Sequence, residues 1–151
     1  MIRSLLIGAV AGMRSMTPIA AVSAAQNRGD LPEDNGAPAL LGHPAVAAGL
    51  LALAAGELVG DKLPSAPDRI IVPGMAARLV TGAIAGAALA PRDRRVAAAA
   101  LGAAGAFAAS YLTFNARVAA MRRFGQVPTG LIEDAIAVGA AAALVRGAAE
   151  A

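Results

Sequence analysis

Eight side chains in this sequence combine an ion-binding or reactive group with an apolar setting: Arg14, Glu57, Asp61, Arg78, Asn115, Arg117, Glu133 and Asp134. Each lies in or beside a long apolar stretch, where an ionised group costs about 3 kcal/mol or more unless it is paired or faces water. Glu57 and Asp61 are four residues apart and so share one helical face. They close their stretch, and a carboxylate at a helix C-terminus is disfavoured by the macrodipole. Both therefore call for a cation, with Arg14, Lys62, Arg78 and Arg117 as candidates. Glu133 and Asp134 follow Pro128-Thr129-Gly130 and open a stretch, where the same dipole favours them. Such groups could bind an ion or small polar solute, or hold a phosphate on arginines beside an acid serving as base. They could also do no more than lock helices together.

The elements that must position them are read from five apolar stretches: Ser4–Ala25, Pro44–Gly60, Val72–Ala90, Val96–Ala120 and Thr129–Val145. Each is near the roughly 20 residues that cross the hydrocarbon of a bilayer, the second and fifth being at the short end. The runs lack the alternation of a lipid-facing barrel strand, so the expected class is all-α. Hydrophobic residues make up 58% of the chain and charged ones 15%, against roughly 25% charged in soluble domains. Together these features predict a single polytopic membrane domain of 151 residues, a compact bundle of about five short transmembrane helices. Threaded up and down, such a bundle puts Glu57, Asp61, Arg78, Asn115, Arg117, Glu133 and Asp134 toward one half of the bilayer, on the side of the N-terminus.

Breakers refine that picture. Thr17-Pro18 reads as an N-cap followed by proline at the first helical position, yet it falls inside the first stretch. That stretch is therefore expected either to break into two half-helices near Arg14–Pro18, or to kink at the proline with Arg14 reaching a carbonyl. Gly8-x-x-x-Gly12, Gly56-x-x-x-Gly60 and Gly82-x-x-x-Gly86 each put two glycines on one face, where backbones can approach closely. Packing within the chain and a homo-oligomer seam are both open to these faces.

Several classes are excluded or disfavoured. The net charge of +3 and pI near 10.6 do not indicate a nucleic-acid partner, because the basic residues lie between apolar stretches and only three Phe and one Tyr could stack on bases. With no cysteine and a single histidine, His43 beside Pro44, neither a metal site nor a cofactor is expected. The start of the chain has signal-peptide texture, but Arg14 and Pro18 interrupt it, so a retained helix is expected. No phosphate-cradling glycine loop occurs, and Asp61 and Asp68 are too few for the aspartate-rich turns of membrane phosphotransferases. Basic residues divide six to five between the two sides, a faint preference for an N-terminus inside.

Gly12-Met13-Arg14 with Pro18, the run Gly56-Glu57-Leu58-Val59-Gly60-Asp61-Lys62-Leu63-Pro64 with Asp68-Arg69, Arg78 ahead of Gly82 and Gly86, and Glu133-Asp134 form a set. Over most of the chain this resembles the small bacterial membrane proteins of domain-of-unknown-function family 4126. The resemblance implies a bacterial inner-membrane, multi-pass location and no settled activity. The expected function is transport of an ion or small polar solute through the one-sided acid and arginine cluster. The alternatives are a scaffold whose charges only stabilise it, and an enzyme acting on a lipid headgroup or polyprenyl phosphate.

Overall fold

A computed structural model describes residues 1–60 and 72–150. Among them there are six α-helices and no strand: α1 (Ile2–Met13), α2 (Met16–Arg28), α3 (Pro44–Gly60), α4 (Val72–Ala88), α5 (Arg95–Phe124) and α6 (Gln126–Ala149). Short 3-10 turns at Ala39–Gly42 and Arg92–Arg94 precede α3 and α5. The helices α5, with its leading turn, and α6 are long and apolar enough to cross a membrane, while α1, α3 and α4 are shorter apolar helices. Both long helices exceed their expected bounds, because the anticipated connection at Met121–Pro128 is helical except for Gly125. Gly125 has φ of +86°, a conformation costly for residues with a Cβ, and it lets the chain reverse through one residue.

The first expected span is two helices. Arg14 is extended (φ −140°, ψ 112°) and separates α1 from α2. Neighbours give the direction of each helix. Arg3 approaches Gly147 while Arg14 meets Asp134, so α1 runs antiparallel to α6. Ala21, Ala24 and Arg28 line one crevice with Ala142, Arg146 and Ala149, so α2 runs parallel to α6. The second helix thus turns back toward the side from which the first entered. At 12 residues, α1 is about 18 Å long and ends near Arg14, short of a bilayer's hydrocarbon thickness.

Folding back reverses every later element relative to simple threading. Residues 29–43 lie on the N-terminal side, tied to the end of α4 by Gly36 N–H to the Ala90 carbonyl (2.8 Å) and Arg92 N–H to the Asp34 carbonyl (2.7 Å). The charged ends of α3, α5 and α6 consequently gather on the side away from the N-terminus, which corrects the expected placement.

Packing separates the helices into two groups. In α1, α4 and α5 the glycines meet backbone: a Cβ at Gly8 would strike Gly102, one at Gly86 would strike Ala98 and Gly102, and one at Gly105 would strike Leu5, all closer than 3.0 Å. Gly8, Gly12, Gly82 and Gly86 are thus used inside the chain. The third pair differs, since Gly56 and Gly60 of α3 have nothing within 4 Å among the described residues. Larger side chains fill the remaining interior, with Ile7, Val10, Ile19, Val22 and Leu89 in one buried cluster with Ala137, Ala141 and Val145 of α6. Meanwhile Leu51, Leu53, Phe107, Leu112, Ile132 and Ile136 are exposed, so bulky apolar side chains face outward over a small-residue interior.

Candidate functional site

The tip between α1 and α2 is where the charged residues converge. Arg14 is 1% exposed, and its Nε donates to Asp134 Oδ1 at 2.6 Å. Its Nη2 lies 2.6 Å from the same oxygen and 3.5 Å from Glu133 Oε2. That Glu133 oxygen also accepts from Arg117 Nη1 of α5 at 2.6 Å. Two adjacent acids, about two turns into α6 and not at its opening as expected because the helix begins at Gln126, therefore join the end of α1 to α5, and the four charges sum to zero. Burial makes this joint sensitive, because removing one member leaves an unpaired charge out of water.

Glu57 solves a different problem. Breaking the chain at Arg14 frees the first N–H groups of α2, which have no partner within that helix. One carboxylate oxygen of Glu57 accepts from the Ser15 backbone N–H and from Ser15 Oγ, both at 2.8 Å, and the other accepts from the Met16 N–H at 2.8 Å. A carboxylate disfavoured at the C-terminal end of its own helix thus rests on the positive end of another. Here the expectation of a cation partner is replaced by a backbone one. Thr17 is also reassigned: it lies inside α2, its buried Oγ1 without a hydrogen-bond partner among the described residues, and the capping comes from α3. Pro18 sits in the first turn, where a missing N–H costs nothing.

Arg78 is buried in α4, one turn before Gly82, and its Nη1 donates to the Gly74 carbonyl at 3.0 Å. Gly82 touches Ala11 and Ala106, so this arginine lies at the depth of the tip. Nearby, Ser110 of α5 donates to the Ala106 carbonyl at 2.7 Å and reaches the Gly12 carbonyl at 3.5 Å. Asn115 stands apart: it is exposed, and its Nδ2 bonds the Tyr111 carbonyl of its own helix at 2.9 Å. Two residues from Arg117 is about 200° around a helix, which turns it to the outer face. Asp61 and Lys62 fall outside the described residues. His43 is exposed, and its Nδ1 accepts the Ala45 N–H at the start of α3.

Ser15 and Ser110 join the site without having been singled out in the sequence. Ser15 carried a usable signal, since a serine beside a helix break is a habitual partner for exposed backbone groups. Ser110 carried none. No group of His, Cys, Asp and Glu that could hold a metal ion occurs among the described residues.

A profile of the family described as "Domain of unknown function (DUF4126)" matches residues 2–147. The chain belongs to the DUF4126 family. The match takes in α1 through almost all of α6, and with them Arg14, Glu57, Arg78, Arg117, Glu133 and Asp134. No curated protein and no solved structure matches this DUF4126 chain.

Proposed function

We propose that this DUF4126 protein is a multi-pass membrane protein, of the bacterial inner membrane, that moves an ion or small polar solute past the tip of the α1–α2 hairpin. The membrane reading rests on the bulky apolar side chains that face outward and on the two long helices, of whose most apolar windows only a third is buried, unlike the core helix of a soluble domain. Within a bilayer the first two helices form a re-entrant hairpin. Irregular backbone at membrane depth is tolerated where protein or a water-filled cavity surrounds it.

One observation carries the transport reading: the hairpin places a half-helix N-terminus among buried arginines and acids, about 17 Å along α1 from Arg3. Broken helices in transporters hold anionic solute groups at such termini. In this site the terminus is occupied by the Glu57 carboxylate, and an anionic group entering from the aqueous phase would compete with it for the Ser15 and Met16 N–H groups.

The hairpin supports one orientation. Among the described residues outside the buried cluster, Arg3, Arg28, Arg92, Arg94, Arg95 and Arg146 lie at the N-terminal side, against Arg122 and Arg123 at the other end. Positive charge favours the cytoplasmic face, which supports an N-terminus inside.

The test is electrophysiology on protein reconstituted in liposomes, probing sodium, potassium, chloride, phosphate and acetate in turn. At least one anion should give a current that Glu57→Ala, by freeing the Ser15 and Met16 N–H groups, raises about tenfold. A current left unaltered by this change in folded protein overturns the reading. A scaffold role is favoured by the saturation of Arg14, held by both acids at 1% exposure. It predicts no current with any of the five ions.

A further inference from the structure

A second site is built between α2 and α6, at the end of the molecule opposite the charged tip. A cavity of about 480 Å³ lies there. Its walls are short side chains, Ala21 and Ala24 from one helix and Ala142 and Val145 from the other, which leave a slot between the helices. Charged groups ring its mouth. Arg28 is already bound to Asp30, with Nε and Nη2 at 2.8 and 2.7 Å from Oδ2. Arg146 and Glu150 have no such arrangement: neither makes an ion pair among the described residues, although both line the cavity.

Residues four apart on a helix place their Cβ atoms about 5–6 Å apart on one face. One unpaired guanidinium and one unpaired carboxylate at that spacing complement a phosphate and an ammonium joined by two carbons. We propose that this crevice holds a phospholipid with a primary-ammonium headgroup, its phosphate on Arg146, its ammonium on Glu150, and an acyl chain in the alanine-walled slot. The site rests on the membrane reading above and is independent of transport. A headgroup without an ammonium would set its charge against Glu150 unrelieved, and a quaternary choline has no N–H to donate to that carboxylate. Guanidinium is suited to phosphate because its planar fork donates two parallel hydrogen bonds.

The full chain, reconstituted in vesicles of equal parts phosphatidylethanolamine, phosphatidylglycerol and phosphatidylcholine, is extracted in mild detergent, and the co-purifying lipids are quantified. Phosphatidylethanolamine should exceed each of the others by about five- to tenfold, the yield of one or two charge-assisted contacts. Glu150→Gln should abolish that preference while phosphatidylglycerol is retained, and Arg146→Gln should lower retention of both. Ala142→Phe, which fills the slot, should also release the lipid; should this variant fail to fold, the two exposed substitutions still decide the matter. Lipids retained in the vesicle proportions, or a phosphatidylethanolamine preference unchanged in Glu150→Gln and Arg146→Gln, would overturn the site. Release of the chain from vesicles by an alkaline wash would instead overturn the membrane reading, and this site with it.

Discussion

The glycines of α1, α4 and α5 and those of α3 follow the same sequence spacing and do opposite things. In the first group Gly8, Gly82, Gly86 and Gly102 meet backbone so closely that a single methyl group has nowhere to go. In α3, Gly49, Gly56 and Gly60 have open space among the described residues, and the helix packs chiefly on α2 and the turn at Ala39–Gly42. Spacing alone therefore does not say whether a small-residue face is a seam. What distinguishes the groups is whether a second helix brings its own small residues to the same level, as α5 does with Gly102 against Gly8, Gly82 and Gly86 and with Ala106 against Gly12. One region is a rigid three-helix lock and the other an arm attached mainly through α2 and Glu57.

The joint that ties the lock to α6 should give the largest effect when broken. Arg14→Met leaves Glu133 and Asp134 buried with less compensation and is expected to cost about 3–5 kcal/mol of stability, measured by chemical unfolding in detergent. Asp134→Asn added to that variant should recover part of the loss; a double variant as unstable as the sum of the singles would show that the two do not act as a pair. Next comes Gly102→Ala inside the lock, expected to cost about 2–3 kcal/mol because the backbone of Gly82 and Gly86 in α4 confronts the added methyl group. Retention of wild-type stability there would show that the lock can spread.

Smaller effects belong to the arm. Glu57→Gln keeps an acceptor but removes its charge, so about 1 kcal/mol of capping is expected to go. Hydrogen exchange should then accelerate at Ser15 and Met16 and stay unchanged through α5, which would show the arm loosening alone. Smallest of all, Gly56→Ala should leave stability within about 0.5 kcal/mol or raise it by up to about 1 kcal/mol through helix propensity. A marked loss on thermal melting would mean that this face is packed in the folded protein after all.

How much of this was legible in the sequence varies by residue. The helical class, the break near Arg14 and the convergence of Arg14, Arg78, Arg117, Glu133 and Asp134 at one level all follow from where charges interrupt apolar runs. The direction taken after the break does not. Arg14 in an extended conformation says that the helix stops, while the return of α2 is set by partners more than a hundred residues away, such as Ala142 and Arg146. Glu57 was conspicuous for sitting at the unfavourable end of α3, yet its partner is backbone at Ser15 and Met16, and backbone carries no side-chain signature. Asn115 shows the converse, since threading gives the level of a residue along its helix and not the face it occupies, and Asn115 turns outward.

The close fit of Gly8 on Gly102 also orders events during synthesis. Some 94 residues separate them, and at about 5–20 residues per second the ribosome needs roughly 5–20 s to deliver the second after the first. Throughout that interval α1 has α2 and then α4 beside it but lacks α5, its most extensive partner. The first of the described helices to be made is thus among the last to settle, and the hairpin tip with its arginine is completed only once α6 has emerged with its two acids.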